Sequence, residues 1–525
     1  MSIDASPRSA DAAPTADAAD DARLGSASTA ASVTASVTPL AEVDSAGVIE
    51  TRGTDFIPEN ERHGKPRELF WVWMSANVVY LYFVIGGVLM LLGLGIWESL
   101  AVVVLGNLWW IAVGWLAISG PASGTPSVTV MRSMFGVRGN RVFGAGLGVA
   151  IGIFFEIINI AFATLASLAL LDHLDIPLPA GAEWGVLAAV AVLSFGISVY
   201  GHATIIRLSP IFTAALAVCF VLLAVFVFGA ADYGYEPAPL PTADHWGLLV
   251  LGFAIVAANP LSWGTGADYA RYLPASVSKK AVMGWTALGG FVPAVAIAVL
   301  GVFAGSVVDM TDPQISIAAI VPAWFYPIFL FVIVLGSITN NVLCAYSTGL
   351  YFQALGGRLG RIPRAWTVVI TGVIATAITA YPLFIAPDFL DTFSAALELS
   401  VTVLGPLVAV YAVDIIVRRN RYDGRALNDE SRTSPFWYSH GVFWPGAISM
   451  VVATTIAVLM ANTTLYVGPI AAALAGADFS AIAGPLVAGG LYAVLWYRTN
   501  PYRDASRRPV AAASVAPALT EETVA

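Results

Sequence analysis

Residues 259–274 read NPLSWGTGADYARYLP and follow GLLVLGFAIVAA, a run apolar enough to open a membrane-crossing helix. Inside what should be one crossing stand an Asn-Pro pair, two glycines, a Trp, an Asp and an Arg. Pro260 removes a backbone donor and collides with the turn before it. Gly264 and Gly266 weaken the helix just downstream. Two outcomes fit: a simple proline kink, or a helix unwound near mid-membrane. The second survives in lipid only where the loosened backbone lines a cavity.

The rest of the chain supplies the membrane. Its 525 residues are 58% apolar and 11% charged, too little charge to cover a soluble domain of this size. Apolar runs predict twelve spans, near 69–95, 97–119, 142–171, 184–200, 205–230 and 245–272, then 281–307, 322–355, 365–385, 389–417, 440–462 and 480–497. A shorter run at 464–475 reads as a re-entrant or interfacial piece. With the N-terminus inside, all 25 Lys and Arg fall on one side of the membrane. The opposite loops carry Glu98, Asp172, Asp175, Asp244, Asp309, Asp312 and Asp388 and no basic residue. One miscounted span would scramble that separation, so both ends are expected to be cytoplasmic, in a plasma or inner membrane.

Residues 1–50 and 503–525 are small and polar and are expected to be disordered tails around a transmembrane domain over 51–502. The first tail lacks a basic start followed by an apolar core, so no secretory signal is expected there. Cys219 and Cys344 both fall inside apolar spans, which argues against a disulfide framework or a thiol metal cluster.

Span one carries a second interruption. FWVWMSANVVYLYFVIGG places Ser75 and Asn77 in mid-span and Gly86 and Gly87 after them. Spans one and six correspond if the chain is a five-plus-five repeat, about 69–230 and 245–417, followed by two extra helices over about 440–497. Paired interruptions at corresponding positions point to a transporter binding site. Carbonyls freed at one half-helix end suit a sodium ion, and amides at the other suit electronegative substrate atoms.

Three stretches now become familiar: SWGTGADYARYLP, the loop TPSVTVMRSMFGVRGN after span two, and RGTDFIPENERHG before span one. In this order they resemble the nucleobase:cation symporter-1 family, which includes cytosine permeases, purine–cytosine permeases and hydantoin transporters. The resemblance runs from about Gly53 to span ten. It implies an all-α polytopic membrane protein of the LeuT type, with twelve helices, an inverted repeat of five and broken helices one and six. It also implies import of a nucleobase or related heterocycle with Na+ or H+.

A nucleobase is flat and neutral, so its pocket needs aromatic faces and a few edge-on polar groups. Span three places Gly152, Phe155, Glu156, Asn159 and Ala163 on one helical stripe. The resemblance makes Phe155 a stacking face and Asn159 a bond to the base edge. An ionisable group at mid-membrane is a functional candidate by default. Glu156 is read as an acceptor for base N–H groups, as the coupling site, or as a neutral acid bonded to a neighbouring helix. At the break of span six, Asn259, Ser262 and Trp263 are candidates, with Trp263 either stacking on substrate or facing lipid. Asp268 and Arg271 read as a lock on the cytoplasmic end of that helix. In span eight, Gly336, Thr339 and Asn340 resemble the family's sodium site, facing the carbonyls of Ser75 and Val78. Asn341 is read as a pocket residue. Cys344 stands where some purine-transporting relatives have a polar amide. Glu398 in span ten is a second buried acid, read as packing or gating against the broken helices, with proton coupling as the alternative.

Other classes fit less well. The histidines, His63, His173, His202, His245 and His440, fall in loops or at span ends, and no nucleophile–base spacing occurs in the core. No glycine-rich phosphate loop is present, which excludes an ATP-driven pump. A channel would want a polar pore, whereas these stripes mix aromatics with few polar groups. The remaining alternative within transport is allantoin, a hydantoin or thiamine. The chain is expected to act as a monomer in the lipid bilayer on a small heterocycle, without nucleic acid and with no cofactor beyond the coupling Na+ or H+.

Overall fold

A computed structural model describes residues 46–238, 241–385 and 389–499. Both expected tails lie outside those residues, except for residues 46–50. Among the described residues, ten helices are long and apolar enough to cross a membrane. The pair Glu68–Asn77 and Tyr80–Leu91, bent by 55°, raises the number to eleven. Trp444–Met460 is equally apolar but, at 17 residues, falls short of the roughly 20 that span hydrocarbon without thinning it. These segments coincide in order and place with the twelve apolar runs, so the same ordinals are kept for them.

Their surfaces separate core from lipid face. Span eight (Tyr326–Ala354) buries 78% of its most apolar window and is central, while span five (His202–Ala230) buries 28%. The outward face of span five presents Ile211, Val218, Val221 and Val225, each more than half exposed, a patch that only lipid makes tolerable. Exposed tryptophans sit at the starts of spans: Trp97, Trp184 and Trp246 on the acidic-loop side, Trp71, Trp366 and Trp444 on the basic side. Two such girdles mark the two membrane–water interfaces.

Both expected interruptions are present. Span six runs as Thr242–Ser262, loosens at Trp263–Thr265 and resumes as Gly266–Ala270. Pro260 lies inside the first half, and the break falls on Gly264 just after it. In span one the break is at Val78 and Val79, the latter fully extended (φ −136°, ψ 146°). Gly86 and Gly87, which the sequence offers as helix breakers, lie inside the second half-helix. They serve packing. A Cβ on Gly86 would strike the Ala298 carbonyl of span seven (Lys279–Ala304), and one on Gly301 would strike the Phe83 carbonyl. Span seven therefore lies backbone against backbone with the half-helix that leaves the break.

Candidate functional site

The break of span six opens onto a cavity. Ser262, Trp263, Gly264 and Thr265 form one wall; Ile151, Gly152 and Phe155 of span three (Leu147–His173) form the next. Cys344, Ser347, Thr348 and Tyr351 of span eight, with Leu404 and Leu407 of span ten, complete it. The cavity has a volume of about 50 Å³, several times what one water requires. The wall is nearly all apolar, with hydroxyls and one thiol at its edges.

Close helix approach shapes this space. A Cβ on Gly152 would meet the Thr348 hydroxyl, and one on Gly148 would meet the Tyr351 ring, so glycine lets spans three and eight touch. Trp263 is 5% exposed and meets Trp73 edge-on at 5.3 Å, which places it in the core rather than against lipid. Ser262 donates its hydroxyl proton to the Asn259 carbonyl at 2.6 Å.

One hydroxyl joins the two broken helices. Tyr82 Oη lies 2.8 Å from the Asn77 Oδ1 and 2.9 Å from the Asn259 side-chain amide. The Asn77 amide nitrogen is already given to the Trp73 carbonyl at 2.7 Å, so the Tyr82 hydroxyl is the donor here, facing the side-chain oxygens of both Asn77 and Asn259. Span eight holds the first break from the other side. Asn340 donates to the Ala76 carbonyl at 2.7 Å, and the Thr339 hydroxyl sits 2.8 Å from the Gly336 carbonyl and 3.3 Å from that of Ser75. Gly336 lies against the Val78 carbonyl, 3.1 Å from where a Cβ would stand. The structure thus brings all five expected cation-site residues together. In this arrangement Asn340 offers span one a donor, and its oxygen accepts from Asn159 at 2.9 Å and from the Cys344 thiol at 3.2 Å.

The remaining expected residues are not on the cavity wall. Asn159 bonds the Phe155 carbonyl (2.8 Å) and Asn340, tying spans three and eight. Glu156 and Asn341 are wholly buried behind the wall, and neither has a hydrogen-bond partner for its polar side-chain atoms. Glu398 is buried on span ten and does not line the cavity. Among the described residues, no cluster of three or more His, Cys, Asp or Glu is arranged to hold a metal ion.

Sequence reasoning missed a fifth element. Glu50, in the stretch expected to be disordered, is buried at the basic side of the bundle. Its carboxylate accepts from Arg271 (2.9 Å), Tyr272 Oη (2.7 Å) and Tyr346 Oη (3.2 Å), from the His202 backbone N–H (3.0 Å), and faces Arg364 at 3.6 Å. Arg271 also donates to the Gly53 carbonyl, and Arg364 to the Ser198 and Val199 carbonyls. Four spans and the segment before span one meet on this one carboxylate. Asp268 completes the closure by accepting from the Ser127 N–H at 2.8 Å, so the expected lock on span six is there, with a partner the sequence did not offer. The only local signal was the apolar pair Val48–Ile49 breaking the polar tail just before Glu50.

The profile of the family described as "Permease for cytosine/purines, uracil, thiamine, allantoin" matches residues 56–484. The chain is 27% identical over 464 residues to the putative purine-cytosine permease YxlA of Bacillus subtilis (strain 168), covering 85% of this chain and 96% of that one. It is 25% identical over 281 residues to the purine-cytosine permease fcyB of Emericella nidulans, 49% of this chain and 52% of the relative. Among solved structures, Mhp1, a nucleobase-cation-symport-1 family transporter in a closed conformation with bromovinylhydantoin bound, superposes with a TM-score of 0.68 at 16% identity, over 87% of this chain and 98% of Mhp1. That last likeness is one of fold, and the fold is that of the LeuT-type transporters.

Proposed function

The chain belongs to the family of permeases for cytosine/purines, uracil, thiamine and allantoin, and from that premise we propose that it is a symporter importing a nucleobase such as cytosine or a purine by alternating access. It is a multi-pass membrane transporter and not an enzyme. In our reading the crossings number twelve, as two inverted repeats of five and two further helices. Both termini are cytoplasmic, which the one-sided distribution of all 25 Lys and Arg supports.

One observation carries the substrate reading: Phe155 and Trp263 share the wall of a small, largely apolar cavity at the unwound point of span six. Two aromatic faces and few polar edges suit a flat, neutral heterocycle. We take Phe155 and Trp263 as stacking surfaces and Ser262 with the freed backbone of residues 263–265 as the edge contacts. Asn259 and Asn159 position them. Ser75, Val78, Gly336, Thr339 and Asn340 hold span one's break against span eight and are where sodium would bind if sodium were the coupling ion. Release to the cytoplasm requires the end of span six, with Arg271 and Tyr272, to part from Tyr346 and Arg364 of spans eight and nine. Glu50 bonds both sides of that seam.

Uptake of labelled cytosine, adenine and allantoin by cells lacking their own permeases tests this. The expected result is saturable uptake of cytosine or a purine, suppressed by excess unlabelled base. Uptake confined to allantoin moves the reading to the related heterocycles, and no uptake of any overturns it.

A further inference from the structure

Between spans three and eight lies a carboxyl group that nothing neutralises. Glu156 is completely buried, and neither of its oxygens has a hydrogen-bond partner among the described residues. Its polar neighbour, the Thr348 hydroxyl, donates to the Cys344 carbonyl at 2.8 Å. Every element packed against span three withholds a cation. Span eight presents Cys344 and Tyr351, and the second half of span one presents Tyr80, whose ring meets Phe162 edge-on at 5.7 Å. Span nine (Arg364–Phe384) carries Arg364 and Tyr381 near its two ends, and span four (Ala182–Tyr200) carries Glu183 and Tyr200 near its own. Arg141, in the turn that leads into span three, is paired with Glu430 at 2.7 Å. An ionised carboxylate in such a place is among the most costly things a protein can bury, while the neutral acid costs far less.

A second observation stands beside the first. Four side chains on the facing surfaces of these two helices have buried polar atoms without partners: Glu156 and Thr164 on span three, Asn341 and Ser337 on span eight. Their spacing is regular. Glu156 and Thr164 flank Ile160 at four-residue steps, and Asn341 and Ser337 precede Ala345 at the same steps; Ile160 and Ala345 belong to one packed cluster. By that spacing the four stand in sequence along the span three–span eight contact, from Glu156 toward the acidic-loop side.

Resting on the transporter reading above, we propose that Glu156 is the residue that carries the coupling proton, loaded through Asn341, Ser337 and Thr164. The proton moves on and off the carboxyl oxygen with no other bond made or broken. Glu156 does not touch substrate, since it stands behind the wall formed by Cys344 and Thr348. Its message reaches the broken helices through that wall. The Cys344 thiol donates to Asn340 (3.2 Å), and Asn340 holds the Ala76 carbonyl at span one's break (2.7 Å). Losing the proton leaves a charge that must find water or a donor, which loosens the contact of span eight with span one. This assignment makes import independent of sodium.

The test uses the purified full chain in proteoliposomes, with labelled cytosine and adenine as probes, scoring exchange separately from accumulation. The wild type is expected to accumulate base under an inward proton gradient, with sodium replaced by choline, and to alkalinise the outside as it does so. Glu156→Gln, which copies the neutral acid, is expected to lose accumulation and proton uptake while still exchanging internal for external base. Glu156→Asp is expected to recover accumulation with a displaced pH profile. Asn341→Ala is expected to slow proton-driven accumulation and leave exchange alone. Accumulation by Glu156→Gln equal to wild type, or wild-type accumulation that follows a sodium gradient alone, overturns the proposal. If the wild type exchanges no base at all, the nucleobase reading falls, and this inference falls with it.

Discussion

Glu50 and Glu156 both carry buried carboxyl groups, yet their surroundings are opposite. Glu50 has two arginines, two phenols and a backbone amide around it; Glu156 has none of these. At the basic end of the bundle, a charge is stable because it is answered, and answering it pulls four spans and the preceding segment onto one point. In mid-membrane, an unanswered acid contributes nothing to holding the fold. What the contrast teaches is that burial alone does not tell a structural acid from a working one. The partners do.

The comparison is broken or sharpened by mutation, starting with the pair where most is at stake. Glu50→Ala leaves Arg271 and Arg364 buried without their carboxylate, and such a loss costs on the order of 3–5 kcal/mol. Thermal unfolding in detergent should show a large fall in Tm, and an unchanged Tm would mean the Glu50 cluster is not holding the bundle. Next comes Trp263→Ala. Stacking of a base on an aromatic ring is worth about 1–3 kcal/mol, so the Kd for the transported base should rise roughly 5- to 150-fold. Unaltered affinity would remove Trp263 from the site. Arg364→Lys should cost about 1–2 kcal/mol, because a lysine cannot reach the Ser198 and Val199 carbonyls and face Glu50 at once. Smallest of all is the stability effect of Glu156→Gln, expected within about 1 kcal/mol of wild type because no partner is lost. A fall as large as that of Glu50→Ala would show that Glu156 has a structural partner after all.

The two breaks show how far the sequence carried. Span six announced its interruption through Pro260 and Gly264, residues whose effect on a helix is local and needs no knowledge of the fold. Span one breaks at Val78–Val79, a pair with no such signature, because its unwinding is imposed from outside by Asn340 on the Ala76 carbonyl and Gly336 against the Val78 carbonyl. Gly86 and Gly87, the helix breakers of that segment, prove to be contact points, the first against span seven and the second against Met310 just beyond it. Phe155 and Trp263 were legible as aromatics at the right places in apolar helices. Glu156 was legible as an acid in lipid, but its isolation depends on what spans four, eight and nine fail to offer, which only the packed structure reveals. Glu50 was the hardest to read. Its partners lie 152 to 314 residues away in four separate segments, and no pattern around residue 50 encodes them.

The central claim is that the cavity at span six's break is where the heterocycle sits, and the chain carries its own probe for it. Cys344 lines that cavity, while Cys219 lies on span five and not on the wall. In a Cys219→Ser background, the rate at which a membrane-permeant maleimide alkylates Cys344 can be measured with and without saturating transported base. Bound base should slow that alkylation in proportion to its occupancy, and the protection should vanish in Trp263→Ala at the same base concentration. If a base that the protein demonstrably transports leaves the Cys344 rate unchanged, the substrate is bound elsewhere and the account is wrong.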